Sequence, residues 1–264
     1  MKKSYFPQEG VWLKGNLHSH STVSDGVLSP SELAKGYFVH GYDFLSMSDH
    51  NVFVPHNELP EDQILLMTGV EHDIEYSPDK CTHVVGTGAP EKKETGYECR
   101  RYSSKELTDQ ALIDMKREDG QFVMLAHPVW SRMEPEEIAA LRGYHAIEVY
   151  NNGTEHLCHG GNAEVYWDLL LRRGIRVFAT ASDDVHVPDD LYGVDLGKSR
   201  RTQQERNTRC TASWLLLFLQ WTNYLRFRYG RRPSLCILLY FRTGISPHKT
   251  PSKPVSTPLE GAMI

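Results

Sequence analysis

His18, Ser19 and His20 open a series of side chains able to bind metal. It continues through Asp25, Asp49, His50, Glu71, His83 and His127 and closes with Asp184, Val185 and His186. Neighbouring side chains on a strand point to opposite faces, so positions i and i+2 of H-S-H and of D-V-H point the same way. One such pair near each end of the first 190 residues suggests a barrel whose first and last strands share a metal site. Imidazole mixed with carboxylate suits Mn²⁺, Fe²⁺ or Zn²⁺ and disfavours the all-oxygen sites of Ca²⁺. No cysteine joins the set, which excludes a structural zinc finger. The expected chemistry is that of a metallohydrolase.

Elements of the right kind surround these residues. The sequence predicts strands over 16–20, 43–48, 64–71, 83–86, 122–126, 146–150 and 176–181, alternating with amphipathic helices. The first helix opens with Ser29 as N-cap, Pro30 at the first helical position and Glu32 closing a capping box. Further helices are expected over 105–117, 135–142 and 164–173. Alternating strands and helices of these lengths imply a parallel sheet. The metal-binding residues fall repeatedly at the C-terminal ends of the expected strands, where (β/α) barrels place their active sites.

Bulk properties narrow the classes. At 264 residues with 40% hydrophobic and 24% charged residues, the chain is an ordinary globular protein, long enough for one barrel. A net charge of -5 gives no reason to expect general affinity for duplex nucleic acid or a membrane surface. That total hides an asymmetry: residues 197–264 hold 12 Lys/Arg and two acids, against 17 basic and 32 acidic residues before them. Five cysteines without a C-x-x-C pair argue against a disulfide framework and for a reducing compartment. The lysines at the N-terminus are not followed by an apolar stretch, so no signal peptide is expected and the location is expected to be cytoplasmic.

H-x-H after a first strand, S-D-H after a second, a Glu ending a third, A-H-P later and a closing S-D-D-x-H together resemble the PHP (polymerase and histidinol phosphatase) family. The resemblance covers residues 14 to about 197. It implies a phosphoesterase on a distorted seven-stranded (β/α) TIM-like barrel. The H-S-H-S-T-V-S-D-G spelling around Asp25 resembles the subgroup of small nucleotide phosphatases and exonucleases acting on short oligonucleotides. Carried over by position, the resemblance implies two or three divalent transition metals. The first would lie between His18, His20, Glu71 and Asp184, and a second would be held by Asp25, His50 and His186. His83 and His127 would hold a third, bridged to the first by Glu71. It also implies a metal-bridging hydroxide as nucleophile, with no Ser or Cys in that role, and a small phosphorylated substrate.

Other residues are weighed against plainer roles. Asp49 is expected to orient a ligand rather than bind metal, and Asp184 is favoured over Asp183 because it sits two residues before His186. Arg132, Lys80 and Asn151 are candidate substrate contacts, although a solvated surface cation is the more common role for the first two. Glu148 could be a buried partner of a ligand. His72, His145, His156 and His159 are expected to be structural.

After residue 197 the family pattern breaks. Residues 198–264 form a basic, aromatic tail whose end is rich in Pro, Ser and Thr, a composition expected to be disordered. Its lost periodicity and switched charge resemble a translated frameshift. If this segment supplies nothing to the barrel, apolar surface is left exposed and the fold is expected to be marginal or oligomeric. Two alternatives stand beside the phosphoesterase: an amidohydrolase-like barrel, which commonly uses a carboxylated lysine between its metals, and a metal-binding domain without catalysis. No lysine occupies a strand end among the candidate ligands.

Overall fold

The computed structural model describes residues 12–60, 63–88, 98, 100–190 and 236–237. After a two-residue strand, β1 (Trp12–Leu13), seven strands neighbour one another in the order β2 (Gly15–Asn16), β3 (Phe44–Met47), β4 (Leu65–Ser77), β5 (Lys80–Thr87), β7 (Phe122–Leu125), β8 (Ala146–Asn151) and β9 (Phe178–Ser182). A short strand, β6 (Tyr102–Ser103), pairs with the far end of β4. The two ends of this path meet. Ser19 forms a parallel bridge with Val185; the His20 N–H donates to the Val185 carbonyl at 3.0 Å and the Asp184 N–H to the His18 carbonyl at 3.1 Å. The seven-stranded ring is nearly closed, and the H-S-H and D-V-H segments are the pieces that close it.

The expected all-parallel sheet does not form. β5 runs antiparallel to both β4 and β7. Only Pro78 and Asp79 join it to β4, and so short a link reverses the chain, whereas parallel pairing needs a crossover of a dozen or more residues. The remaining neighbours on the path are parallel. β4 is also longer than expected, continuing past Glu71 to Ser77 as one arm of this hairpin.

Helices cover the outside. The Ser29 hydroxyl accepts the Glu32 N–H to start α1 (Pro30–Val39), while the Glu32 carboxylate accepts the Ser29 N–H. The helix buries Leu33, Ala34 and Tyr37 against Leu45, Met47, Ile64 and Val185. Thr108 caps α2 (Asp109–Glu118), so this helix begins four residues later than expected. α3 (Pro135–Ala140) and α5 (Glu164–Arg172) complete the outer layer, with Ile138 and Leu170 packed among Leu125, Ile147 and Val149. A further helix, α4 (Asn152–Cys158), directly follows β8, its first turn capped by the Asn151 side chain.

Leu17, Phe44, Met67, Val85, Met124, Ala146 and Ala181 form one buried cluster. They come from or directly follow each strand of the ring in turn, so this cluster fills its interior. Such a filled barrel offers its ends, rather than its centre, to ligands. Of the tail, Cys236–Ile237 (β10) pairs in parallel with β1; the other tail residues, including Trp214, Trp221, Tyr224 and Phe227, lie outside the described residues.

Candidate metal centre

Barrel closure brings four donor atoms together. His18 Nε2 lies 3.1 Å from His20 Nε2, 3.1 Å from Glu71 Oε2 and 3.2 Å from Asp184 Oδ1. His20 Nε2 lies 3.1 Å from the same Glu71 oxygen and 3.0 Å from the same Asp184 oxygen. A tetrahedral ion with bonds of about 2.0–2.1 Å spaces its donors about 3.3 Å apart. These edges therefore fit a small divalent cation. Glu71 Oε2 and Asp184 Oδ1 are buried and have no hydrogen-bond partner. An orphaned buried carboxylate oxygen is costly, and a cation would satisfy both atoms.

Glu71 divides its oxygens between two groups. Oε2 faces His18 and His20, while Oε1 lies 3.0 Å from His83 Nδ1 and 3.3 Å from His127 Nε2. His83 is presented by β5, and His127 follows β7. On the other side, Asp25 Oδ2 lies 3.5 Å from His186 Nε2 and 3.7 Å from His50 Nε2. The His20 ring is sandwiched between those of His50 and His186, with centroids 4.4 and 4.2 Å away. Three overlapping groups result: His18, His20, Glu71 and Asp184; His20, Asp25, His50 and His186; and His50, Glu71 and His83. These groups hold eight of the nine sequence-predicted residues, and His127 adjoins them through Glu71 Oε1. His20 and His50 stand at the joins between groups, where the family resemblance implied one group for each.

Burial grades the cluster. The His18, His20 and Glu71 side chains are fully buried, while Asp25 is 54% and His186 32% exposed. Solvent reaches the cluster from the Asp25–His186 side.

Hydrogen bonds hold the donors in place. Glu148 is fully buried, as the sequence suggested. Its Oε1 accepts from His18 Nδ1 at 2.8 Å and from the Ser182 hydroxyl, and its Oε2 from the His127 N–H at 2.9 Å. With Nδ1 donating, His18 turns Nε2 to the cluster, the nitrogen a metal would take in place of a proton. Asn151 Nδ2 donates to Asp184 Oδ2 at 3.0 Å and to Glu148 Oε2 at 2.8 Å. Asp184 and His127 have positive φ angles of 48° and 27°, an uncommon backbone state for non-glycine residues that aims both side chains inward.

The charges are mutually sustaining. Burial pushes the carboxyls of Glu71 and Asp184 up, but the surrounding imidazoles, His18 foremost, outweigh it and hold both well below the usual carboxylate range. Burial likewise opposes charge on His18, yet Asp184, Glu71 and Glu148 hold its pKa well above that of a free imidazole. Protons here balance charge that cations would otherwise neutralise.

The remaining candidates separate clearly. Asp49 accepts hydrogen bonds from the N–H and hydroxyl groups of both Ser21 and Ser24, so it shapes the loop that carries Asp25. Asp183 points elsewhere, accepting from the Tyr37 hydroxyl at 2.6 Å. Asn151 is buried, and its amide is committed to Glu148, Asp184 and the α4 cap. The Lys80 ammonium is held by Glu137 at 2.5 Å. Arg132 keeps a side chain 64% exposed, with Asp79 3.9 Å away. His145 accepts the Val123 N–H, and His156 and His159 lie beside Asp190 and Glu155.

Two contributors escape the sequence reading. Asp73 Oδ1 lies 3.0 Å from His50 Nδ1, and its other oxygen is paired with Arg101 at 2.8 Å. It stands two residues after Glu71 on the same face of β4, so alternation carried beyond residue 71 would have found it. Trp130 packs edge-on against His83 and His127, with centroids 5.2 and 4.9 Å away.

No family model matches the chain. A 5′-3′ exoribonuclease of Haemophilus influenzae is 39% identical over 77 residues, and the match spans 28% of either protein. Among solved structures, a candidate metal-dependent phosphoesterase of Bifidobacterium adolescentis superposes with a TM-score of 0.50 at 15% identity, over 67% of this chain and 89% of that one. The chain shares the fold of that protein. A two-domain Bacteroides vulgatus protein with a PHP-like metal-dependent phosphoesterase assigned by prediction gives 0.48 at 22% identity, over 67% of this chain and 53% of that one. An amidohydrolase of Chromobacterium violaceum with bound sulfate and no metal gives 0.46 at 14%, over 67% and 89%. No helix among the described residues is long and apolar enough to cross a membrane.

Proposed function

We propose that the chain is a metal-dependent phosphoesterase acting on a phosphate ester of a small metabolite, a nucleotide or a short oligonucleotide. The observation that carries this is the buried cage of His18, His20, Glu71 and Asp184, whose donors are spaced for a cation and whose carboxylate oxygens lack hydrogen-bond partners. In this proposal the cage holds one ion, Asp25, His50 and His186 a second, and His83, His127 and Glu71 a third. Divalent transition ions bound there supply Lewis acidity to phosphoryl oxygens and water that ionises near neutral pH.

The chain's own work is ligation and orientation. Glu148 fixes the ring of His18, Asn151 fixes Asp184, and Ser131 holds His127 Nδ1 at 3.1 Å. Ser19 and Ser182 are tied to the Ser46 carbonyl and to Glu148, so neither is placed to act as a nucleophile. Arg132 is the proposed phosphate contact, because its exposed guanidinium follows His127 on the same loop. The local likeness to an exoribonuclease supports a nucleotide or oligonucleotide among the substrate classes. The alternative of a C–N hydrolase with a carboxylated lysine is disfavoured because no lysine occupies a strand end among the proposed ligands, and Lys80, on the strand that carries His83, is held by Glu137.

The test is hydrolysis of aryl phosphate monoesters and diesters and of short 5′-phosphorylated oligoribonucleotides. Chelation should abolish turnover, and Mn²⁺, Fe²⁺ or Zn²⁺ should restore it. Metal-loaded protein inert on the whole panel would sink the proposal.

A further inference from the structure

His50 is contested. Its Nδ1 lies 3.3 Å from Glu71 Oε2, toward His83, while its Nε2 lies 3.7 Å from Asp25 Oδ2, toward His186. Only one nitrogen of a neutral imidazole carries a lone pair in the ring plane, so one tautomer cannot serve both groups. The deciding contact is Asp73, 1% exposed on β4, whose Oδ1 is 3.0 Å from His50 Nδ1. An ionised carboxylate only accepts, so His50 Nδ1 carries the hydrogen.

Asp73 is itself locked. Its Oδ2 accepts from Arg101 Nε at 2.9 Å, Arg101 Nη2 at 2.8 Å and Asn51 Nδ2 at 3.1 Å, and its N–H donates to Asn51 Oδ1 at 3.2 Å. Asn51 meets both ends of Asp73 from a left-handed φ of 54°, a conformation Asn tolerates better than most residues. Three donors on one oxygen leave the other to the imidazole. His83 Nε2, at 3.6 Å from that oxygen, is too far to compete for it.

We propose that Asp73 is a positioning residue: with Arg101 and Asn51 behind it, it fixes the Nδ1–H tautomer of His50 and assigns the Nε2 lone pair to the outer, Asp25–His186 group. The inference rests on the metal-dependent reading above, in which His50 belongs to the second site, and adds the residue that commits it there. It also singles out Asp73→Asn, which conserves shape. The amide oxygen must face the Arg101 and Asn51 donors, so its NH₂ faces His50. That turns Nδ1 into an acceptor and moves the ring hydrogen to Nε2.

The experiment pairs two readouts on the full chain. Long-range ¹H–¹⁵N correlations of the metal-free protein, at alkaline pH, should show His50 protonated at Nδ1 in the wild type and at Nε2 in Asp73→Asn. Calorimetric Mn²⁺ titration should show one outer equivalent weakened about ten- to a hundredfold in Asp73→Asn, the same equivalent lost in His50→Ala, with the tightest equivalent unchanged. A wild-type His50 protonated at Nε2 would overturn the proposal, and this needs no variant to fold. An unchanged tautomer in Asp73→Asn, or loss of the tightest equivalent instead, would also overturn it. Wild-type protein that binds no metal would overturn the phosphoesterase reading, leaving the tautomer to judge Asp73 separately.

Discussion

Glu148 Oε1 stands 2.8 Å from His18 Nδ1, and this contact turns the opposite nitrogen of His18 into the four-donor cage. A glutamine in place of Glu148 cannot satisfy every donor around it. The His127 N–H is fixed in the backbone, so the amide oxygen goes there and the NH₂ faces His18. The imidazole hydrogen then moves to Nε2 and points into the cage. Glu148→Gln should lower affinity for the tightest metal about ten- to a hundredfold and cost about 1–3 kcal/mol of stability. Metal titration and thermal melting check both, and an unchanged affinity would mean that Glu148 does not set the ring.

Metal uptake should release protons. Burial opposes charge on His186, but its hydrogen bond to Asp25 and the Asp184 charge push its pKa up to about 9. At pH 7 the metal-free ring is therefore protonated, and a ligating ring must not be. Calorimetric heats of Mn²⁺ binding should accordingly differ between buffers of different ionisation enthalpy. Equal heats in every buffer near pH 7 would contradict the prediction.

The same pair sets a pH window for the chelated protein. The folded pKa of His186 is raised from 6.5, so its contribution is fully present below that value and lost as pH rises through about 9. Burial opposes the charge of Asp25 too, but His186, His50 and His20 pull it down to about 2. Its contribution is present above 3.8 and lost as pH falls through about 2. Asp25 is half exposed, so salt should weaken both effects. Melts of the chelated wild type and of His186→Ala should converge above pH 9 and differ most near pH 4–6.5. A constant difference across the range would contradict this assignment.

Gly26 closes the turn that carries Asp25. A Cβ there would sit 2.5 Å from the His20 carbonyl oxygen and 2.8 Å from the Ser21 nitrogen, both backbone atoms. Gly26→Ala should displace Asp25 and weaken the outer metal, while costing about 1–3 kcal/mol from overpacking. Metal stoichiometry read against thermal melting separates these effects. Full outer occupancy in the variant would show that the loop can give.

Lys80 and Arg132 should behave differently. The Lys80–Glu137 pair is partly exposed, so Lys80→Ala should leave KM within about twofold and stability within about 1 kcal/mol. Arg132→Ala should raise KM for phosphate esters about tenfold or more, since charge-assisted contacts to phosphate are strong. Steady-state kinetics decide, and equal KM values for both variants would remove Arg132 from the site.

What the sequence disclosed follows from which physical signals are local. Most of the clustered residues were legible because they lie on or shortly after a strand, and strand alternation relates neighbours two apart; Asp25, on the loop after β2, was legible only through the H-S-H-S-T-V-S-D-G resemblance. Ring closure was legible in outline from the paired H-S-H and D-V-H segments. The mechanism was not: β2 ends at Asn16 and β9 at Ser182, so a single backbone bridge, rather than continuous strands, joins them. The direction of β5 was not legible because nothing in the periodicity of 64–71 and 83–86 marks Pro78-Asp79 as a hairpin turn between them. Asp73 was missed for a related reason, since β4 was expected to stop at Glu71. α4 was missed because Gly153 lowers its helix propensity, while its cap depends on an Asn151 side chain shared with the site.

The most direct test of the account combines metal content with hydrolysis in His18→Ala and Asp184→Ala. Each removes a donor from the buried cage and leaves Asp25, His50 and His186 in place. Both variants should lose the tightest metal equivalent and at least about a thousandfold of phosphoesterase turnover, while remaining folded. Variants that retain that equivalent and turn over like the wild type would contradict it.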